Sequence, residues 1–362
     1  MGVLRSPFIV PELLQEFVAL IGDSTSDLTA CALVSRAWVY TSQAHFFREV
    51  SFISPFMAEN ERAWSRLREI LDHSPHLIRH IRRLRVDADL LSLDTFSAIC
   101  NFPFALVDYV FVRKALDLSL EAAIAMQSLC RLPTLRHVGM VLNFTQPATF
   151  LRIWDGCSPS MRHLELYCTN NGVHHPFIPA PRQSFPLVAL ESLKITPVPG
   201  LCDWLTNPLS PFDFSRLQVL GIYPRTRVLL VKGLAPTRRT REVPVFLHED
   251  RPMSINLSLF PQLEALYIAI PSVNAQQIAL DTLATIPPLS HIHRVVIHSS
   301  FLDRAVCEQI DSKFSDIPRL SLESVDLEMD TIWGDLKTDN LSEYFPRLSS
   351  RNLLRRIDRK ED

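Results

Sequence analysis

The chain has 362 residues, 47% hydrophobic and 21% charged, the composition of a chain that buries a core. Its 37 Lys and Arg stand against 39 Asp and Glu, and a net charge of −2 argues against a general electrostatic attraction to nucleic acid or anionic membrane. Only 9 Gly but 26 Pro disfavour folds built on glycine-rich phosphate loops and predict many short elements stopped by rigid turns.

The first residues carry Pro7, Pro11, Glu12 and Glu16 without a continuous apolar stretch, so no secretory signal is read there. Pro11 suits the first turn of a helix, where its missing N–H would have no partner anyway. Leu13, Leu14, Phe17, Val18 and Ile21 then fall along one helical face, and Gly22 with the Asp23-Ser24-Thr25-Ser26 cluster ends it. Ser26 or Asp27 is placed to cap a second helix bearing Leu28, Cys31, Ala32 and Val34. Ser35 is placed to cap a third, with Trp38, Val39 and Phe46. Three short helices make a bundle with a thin core, a kind of unit often completed by a partner.

This segment resembles an F-box. The resemblance rests on Pro11-Glu12-Leu13-Leu14, on Leu28 followed by Ala30 to Trp38 with its Val34-Ser35-Arg36-Ala37-Trp38 run, and on Phe46-Phe47. Val10 departs from the Leu usual in the family, and Glu12 follows Pro11 directly. The resemblance covers residues 7–52 and implies binding to the Skp-type adaptor of a cullin–RING ubiquitin ligase. The contact positions it carries over are Pro11, Leu13, Leu14, Leu33, Val34 and Trp38.

A linker helix is expected over 53–74. Beyond it the pattern apolar-x-x-apolar-x-apolar recurs nine times, as Ile81/Leu84/Val86, Val107/Val110/Val112, Leu135/Val138/Met140, Met161/Leu164/Leu166 and Leu190/Leu193/Ile195. It continues as Leu217/Leu220/Ile222, Leu263/Leu266/Ile268, Ile292/Val295/Ile297 and Leu322/Val325/Leu327. Successive middle positions lie 26 to 30 residues apart, with one step of 46. That period sits at the long end of leucine-rich repeats, about 20–29 residues. Helical character over Leu116–Leu132, Ala148–Gly156, Asn274–Ile286 and Arg304–Phe314 separates the triplets. The expected fold is therefore α/β: a small three-helix unit followed, over 75–335, by a leucine-rich-repeat-like solenoid with parallel strands on one face and helices on the other. Asn143, Asp89, Ser300 and Asp330 stand where such repeats place a turn-forming Asn, whereas Thr169, Val198, Arg225 and Pro271 do not fit, so the repeats are degenerate.

The long step holds a basic insertion, 224–259, with Arg225, Arg227, Lys232, Arg238, Arg239 and Arg241. It is read as a solvated hairpin formed by Val228–Val231 and Val243–Leu247 rather than as a binding loop or nuclear-import patch. Residues 336–362 are read as a charged tail.

No Gly-x-x-x-x-Gly-Lys, Gly-x-Gly-x-x-Gly or Gly-x-Ser-x-Gly occurs in the chain. His73, His76 and His80 are interrupted by Pro75, and His174-His175 and His291-x-His293 lack neighbouring Cys or carboxylates, so all read as surface or turn histidines and no metal or cofactor is expected. Seven scattered cysteines, with no C-x-x-C pair, read as buried thiols of a reducing compartment, cytoplasmic or nuclear. No apolar window is long enough to span a membrane.

The expected function is non-enzymatic: substrate recognition for an SCF-type ligase, with the Skp-type adaptor and cullin scaffold as partners and a protein substrate on the repeats. The residue between the last two apolar positions of each triplet points to the open face of the sheet, which nominates Arg85, Phe111, Glu165, Lys194, Tyr267 and Asp326 for substrate binding. The alternative is a repeat scaffold outside the ubiquitin system, capped by its N-terminal helices.

Overall fold

Alternate residues of an extended chain point to opposite faces, and the nine apolar triplets use this to bury one face of nine strands. The structure, a computed structural model, describes residues 11–21, 24–34, 36–114, 118–142, 147–168, 187–196, 201, 204–205, 210–223, 255–270, 273–287, 290–299, 302, 304–316, 322–329 and 341–357.

Three helices come first: α1 (Pro11–Ile21), α2 (Thr25–Val34) and α3 (Arg36–Phe46). Their boundaries follow the sequence, but the cap of α2 does not. Ser24 Oγ accepts the Asp27 N–H at 3.4 Å, so the helix starts before Ser26 and Asp27, the two residues expected to cap it.

The strands are β1 (Glu49–Phe52), β2 (Arg83–Asp87), β3 (Tyr109–Lys114), β4 (His137–Leu142), β5 (His163–Cys168), β6 (Val188–Ala189), β7 (Ser192–Ile195), β8 (Phe212–Asp213) and β9 (Val219–Ile222). They continue with β10 (Ala265–Ile270), β11 (Arg294–Ser299), β12 (Ser324–Met329) and β13 (Leu354–Ile357). Eleven of them form one parallel sheet in the order β1-β2-β3-β4-β5-β7-β9-β10-β11-β12-β13, while β6 and β8 make a separate parallel pair. The middle apolar residues Leu84, Val110, Val138, Leu164, Leu193, Leu220, Leu266, Val295 and Val325 are direct partners in register across the sheet. All nine are buried.

Helices α4 (Met57–His73), α5 (Leu93–Cys100), α6 (Leu120–Cys130), α7 (Pro147–Ile153), α8 (Val273–Leu283) and α9 (Arg304–Asp316) supply the other side of this core. Ser92 and Ser119 cap α5 and α6, accepting the N–H of Thr95 at 3.3 Å and of Ala122 at 3.2 Å. Trp64 and Leu71 of α4, Phe96 and Ile99 of α5, and Met126 and Leu129 of α6 join the strand residues in one apolar cluster that runs from Val50 to Leu348. Each fully buried aliphatic side chain contributes roughly 1.5–3 kcal/mol, so a strand and its helix depend on the neighbours that complete their burial.

Three boundaries differ from the sequence reading. Glu49–Phe52, assigned to the helical unit, is β1 and pairs with β2, because Phe47, Val50 and Phe52 repeat the triplet pattern. Residues 341–357, assigned to a charged tail, add α10 (Leu341–Tyr344), α11 (Pro346–Ser350) and β13. Phe345 and Leu348 are buried there, and β13 extends the sheet beyond β12. Of the basic insertion, 224–254 lies outside the described residues, including both segments of the expected hairpin and all six basic residues named above. Its end, 255–259, is pinned to α8 and the turn that follows: Thr282 Oγ1 accepts the Ile255 N–H at 3.2 Å and Thr285 Oγ1 that of Leu257 at 2.8 Å. Asn143, Ser300 and Asp330 also lie outside the described residues.

Candidate functional site

The helical unit has a small core of its own. Leu14, Val18 and Leu28 are buried, and none of them joins the large cluster. Much of the remaining apolar surface stays outside: Leu13 is 60% exposed, Phe17 55%, Leu20 85%, Leu33 83% and Val34 68%. Trp38 is half-buried, with its ring edge-on to Phe17 at 5.5 Å. Of the six positions the resemblance assigns to a partner, Leu13, Leu33 and Val34 are therefore on the surface and Trp38 is partly so. Leu14 belongs to the bundle's own core, and the Pro11 side chain lies outside the described residues. Phe17 and Leu20 also face solvent; they stand four and seven residues after Leu13, a spacing that puts all three along one stripe of α1, although the sequence reading counted only Phe17.

The unit is joined to the sheet on one side. Tyr40 of α3 meets the His80 ring at 5.1 Å, and the Arg79 guanidinium lies 5.4 Å from the Tyr40 ring. His80, read from the sequence as a surface or turn histidine, is buried. Burial, reinforced by Arg79, His76 and Arg82, holds its imidazole below the ordinary value.

The second candidate surface is the sheet face turned away from the apolar cluster. Arg85, Phe111, Gly139, Glu165, Lys194, Gly221, Tyr267, Val296 and Asp326 form one row across it in strict register, as the triplet pattern implied. The six nominated residues are not equally available. Phe111 is buried, with the Arg85 guanidinium 5.8 Å from its ring on one side and Gly139 on the other. A Cβ at Gly139 would stand 2.6 Å from Phe111 Cδ2, so the missing side chain is what lets the ring lie down. Asp326 is also buried; its Oδ2 accepts from Arg294 Nε at 2.7 Å, and Arg355 is its partner residue on β13. Arg85, Glu165, Lys194 and Tyr267 keep part of their surface.

Glu165 is the electrostatic centre of this face. Lys194 Nζ lies 2.7 Å and His137 Nε2 3.5 Å from its Oε1, and Tyr167 Oη donates to Oε2 at 3.4 Å. Burial pushes the carboxyl up, but the His137 imidazole beside it and the hydrogen bond from Lys194 outweigh it and hold the group at about 2. The same burial, with the Glu165 charge beside it, pushes the Tyr167 phenol well up. Rings continue the row on both sides: Tyr109 to His137 at 4.7 Å, His137 to His163 at 5.6 Å, and Tyr167 to Tyr223 at 5.8 Å. The sequence nominated only one residue per strand. Tyr109, His137, His163, Tyr167 and Tyr223 lie two residues before or after that row, and the same two-residue alternation puts them on this face.

Several other charged groups described on the face stand close to one another. Glu49 holds Arg83 at 3.8 Å and Arg85 at 3.4 Å, Asp87 holds Arg113 at 3.4 Å, and His298 stands 3.5 Å from Glu328. Among the described residues no three His, Cys, Asp or Glu are grouped as a metal site, and no helix is long and apolar enough to cross a membrane. Cys100, Cys130, Cys157 and Cys307 are buried free thiols, and burial pushes Cys100 and Cys130 well up, which disfavours the reactive thiolate at both.

No model of a known protein family matches the chain, and no curated protein is significantly similar to it.

Proposed function

We propose that the chain is the substrate-recognition subunit of an SCF-type cullin–RING ubiquitin ligase, with α1 to α3 as an F-box that docks on a Skp-type adaptor and the sheet as a degenerate leucine-rich-repeat solenoid that receives a protein substrate. The observation that supports this reading most is the imbalance in the helical unit: a core of Leu14, Val18 and Leu28 carries Leu13, Phe17, Leu20, Leu33, Val34, Tyr40 and Phe46 exposed on its surface. Exposed apolar area of this kind on a small bundle is what a partner covers, at about 25 cal/mol per Å². The ligase chemistry is then proximity: the adaptor and cullin bring the ubiquitin donor to a substrate held on the sheet, and this chain performs no bond-making step. A cytoplasmic or nuclear location accompanies the proposal.

The test is capture of a Skp-type adaptor by the full chain. Leu33→Glu places a charge on a side chain that is 83% exposed, so the fold tolerates it while an apolar interface does not. Loss of capture, with the far-ultraviolet spectrum and melting point unchanged, is the expected result. Capture by neither the wild type nor the variant sinks the reading.

A second reading is favoured by one observation. The helical unit continues through β1 into the sheet and packs through Tyr40 on His80, as a cap of the array does. As a scaffold outside the ubiquitin system, the chain binds no Skp-type adaptor, and Leu33→Glu then changes no assembly.

A further inference from the structure

The net charge of −2 hides a separation of sign along one edge of the sheet. The residue just before each strand of the large sheet, from β2 to β12, donates its backbone N–H to the carbonyl of its counterpart before the preceding strand, at 2.7 to 3.0 Å. In the first half of this ladder the neighbours are Arg48, Arg82, Asp108, Arg136 and Arg162, in that order. The second half begins at Glu191 and carries Glu264 and Glu323. The sign changes between β5 and β7, where Arg162 Nε lies 3.5 Å from Glu191 Oε1. Arg48, Arg82 and Arg136 are exposed, and Arg162 and Asp108 are half-buried. Like charges on adjacent strands destabilise a sheet, and an acidic visitor would relieve that repulsion.

The arginines fall into two groups on either side of Asp108: Arg48 with Arg82, and Arg136 with Arg162. Neighbouring strands lie about 4.8 Å apart, so the centres of the two groups, three strand spacings from each other, stand about 14 Å apart. An extended chain rises about 3.4 Å per residue and covers that span in about four residues. Ring surface follows directly: the Arg83 guanidinium lies 5.7 Å from the Tyr109 ring, and that ring meets His137 at 4.7 Å. A nucleic-acid backbone carries a phosphate at every nucleotide and would set one against Asp108, whereas a polypeptide can place a neutral residue there.

We propose that the arginine half of this edge docks an extended polypeptide segment with two acidic groups about four residues apart, one on Arg48 and Arg82, the other on Arg136 and Arg162. An uncharged or basic residue of the segment faces Asp108. The inference rests on the proposed role of the sheet in holding a protein and names the chemistry of the segment held. It makes no use of the helical unit.

The probe is a fluorescent synthetic peptide with two Glu-Glu pairs separated by two neutral residues, titrated with the full chain and read by anisotropy. Expected is binding that weakens at least about ten-fold from low to high salt. Replacing either pair by Gln-Gln, or all four Glu by Lys, weakens it about five-fold or more. Arg82→Gln and Arg136→Gln each weaken it roughly two- to five-fold, the range of an exposed ion pair, while Glu323→Gln at the far end of the ladder leaves it unchanged. Asp108→Asn strengthens it about two-fold or more, a gain that a damaged fold does not produce. No binding of the acidic peptide, equal binding of the Lys version, or indifference to Arg82→Gln, Arg136→Gln and Asp108→Asn overturns the inference. So does tighter binding of a single-stranded oligonucleotide than of the peptide. Adaptor capture is read separately: its failure removes the ligase assignment, whereas failure with the peptides removes only this class of segment.

Discussion

Lys194 Nζ lies 2.7 Å from Glu165 Oε1, and the two residues are direct partners in the β5–β7 ladder. Because Glu165 also takes His137 and Tyr167, it ties three strands together on the face that no helix covers among the described residues. The pair is half-buried, and removing one member leaves the other without its partner.

Glu165→Ala is expected to cost about 2–3 kcal/mol, less than for a fully buried pair because Lys194 can turn to water. A urea titration should show a lower midpoint at an unchanged slope. The double variant Glu165→Gln/Lys194→Met should lose less than the two single changes added together, since the second change removes a charge that the first has stranded.

The same group sets an acid limit. The Glu165 carboxyl is held at about 2 against an ordinary 4.5, so the unfolded chain binds its proton first as pH falls. Its contribution is therefore complete above 4.5, declines below that value and is gone below about 2. Stability measured through that interval should fall less in Glu165→Gln than in the wild type.

His163 and His80 act in a higher window. Burial, with His137 beside it, holds His163 below 6.5 against the opposing pull of Glu191 and Glu165, and burial with Arg79, His76 and Arg82 does the same for His80. For a base whose folded value is depressed, the unfolded chain takes up the proton that the folded one refuses, so stability is full above 6.5 and falls as pH drops through it. Melting temperatures between about pH 7.5 and 5.5 should fall in the wild type and fall less in His163→Gln/His80→Gln. An equal fall in both proteins would show that these imidazoles are not the cause.

Gly139 is the position on the open face where a single methyl group does most damage. Its Cβ would meet Phe111 Cδ2 at 2.6 Å and Phe111 Cε2 at 3.3 Å, and the ring is held from the other side by Arg85. Gly139→Ala should destabilise by about 1–3 kcal/mol through overpacking. Adding Phe111→Leu should recover part of the loss, which separates a steric cause from a change in backbone freedom.

Most of the sheet was legible because its signal has a period of two and survives substitution among Leu, Ile, Val and Met. Every middle position read from the sequence, from Leu84 to Val325, is in register. The two end strands were not seen. Val50 lies 34 residues before Leu84, because the 17-residue α4 intervenes, and Phe47, Val50 and Phe52 passed for the end of the helical unit. At the other end Leu354 keeps the period, but Arg351 and Arg356 stand where apolar residues were expected. An edge strand is covered on one side only and tolerates this. On the open face, the row was correctly aligned but its availability was not legible. Burial of Phe111 and Asp326 depends on Gly139 and Arg294 in neighbouring strands, which a one-strand pattern does not contain.

Asp311 holds the unforeseen C-terminal segment in place. Its buried carboxylate on α9 accepts the Arg347 N–H through Oδ2 at 2.9 Å and the Leu348 N–H through Oδ1 at 2.8 Å, the first amides of α11 after Pro346. Leu348 O in turn accepts the Leu353 N–H at 3.0 Å just before β13, and Leu353 O accepts that of Val325 at 2.8 Å. The bonds form a chain from α9 through α11 to the edge of the sheet. Asp311→Ala removes two charge-assisted bonds and leaves the buried Leu348 amide and the part-buried Arg347 amide unpaired, a loss of about 2–3 kcal/mol that falls locally rather than on the whole fold. Hydrogen exchange should accelerate at Arg347, Leu348 and Leu353, with the amides of β3 to β5 unaffected. Asp311→Asn keeps one carbonyl acceptor and turns an N–H₂ toward the other donor, so its exchange should lie between wild type and Ala. Uniform acceleration across the sheet would mean instead that α11 and β13 unfold only with the rest of the chain.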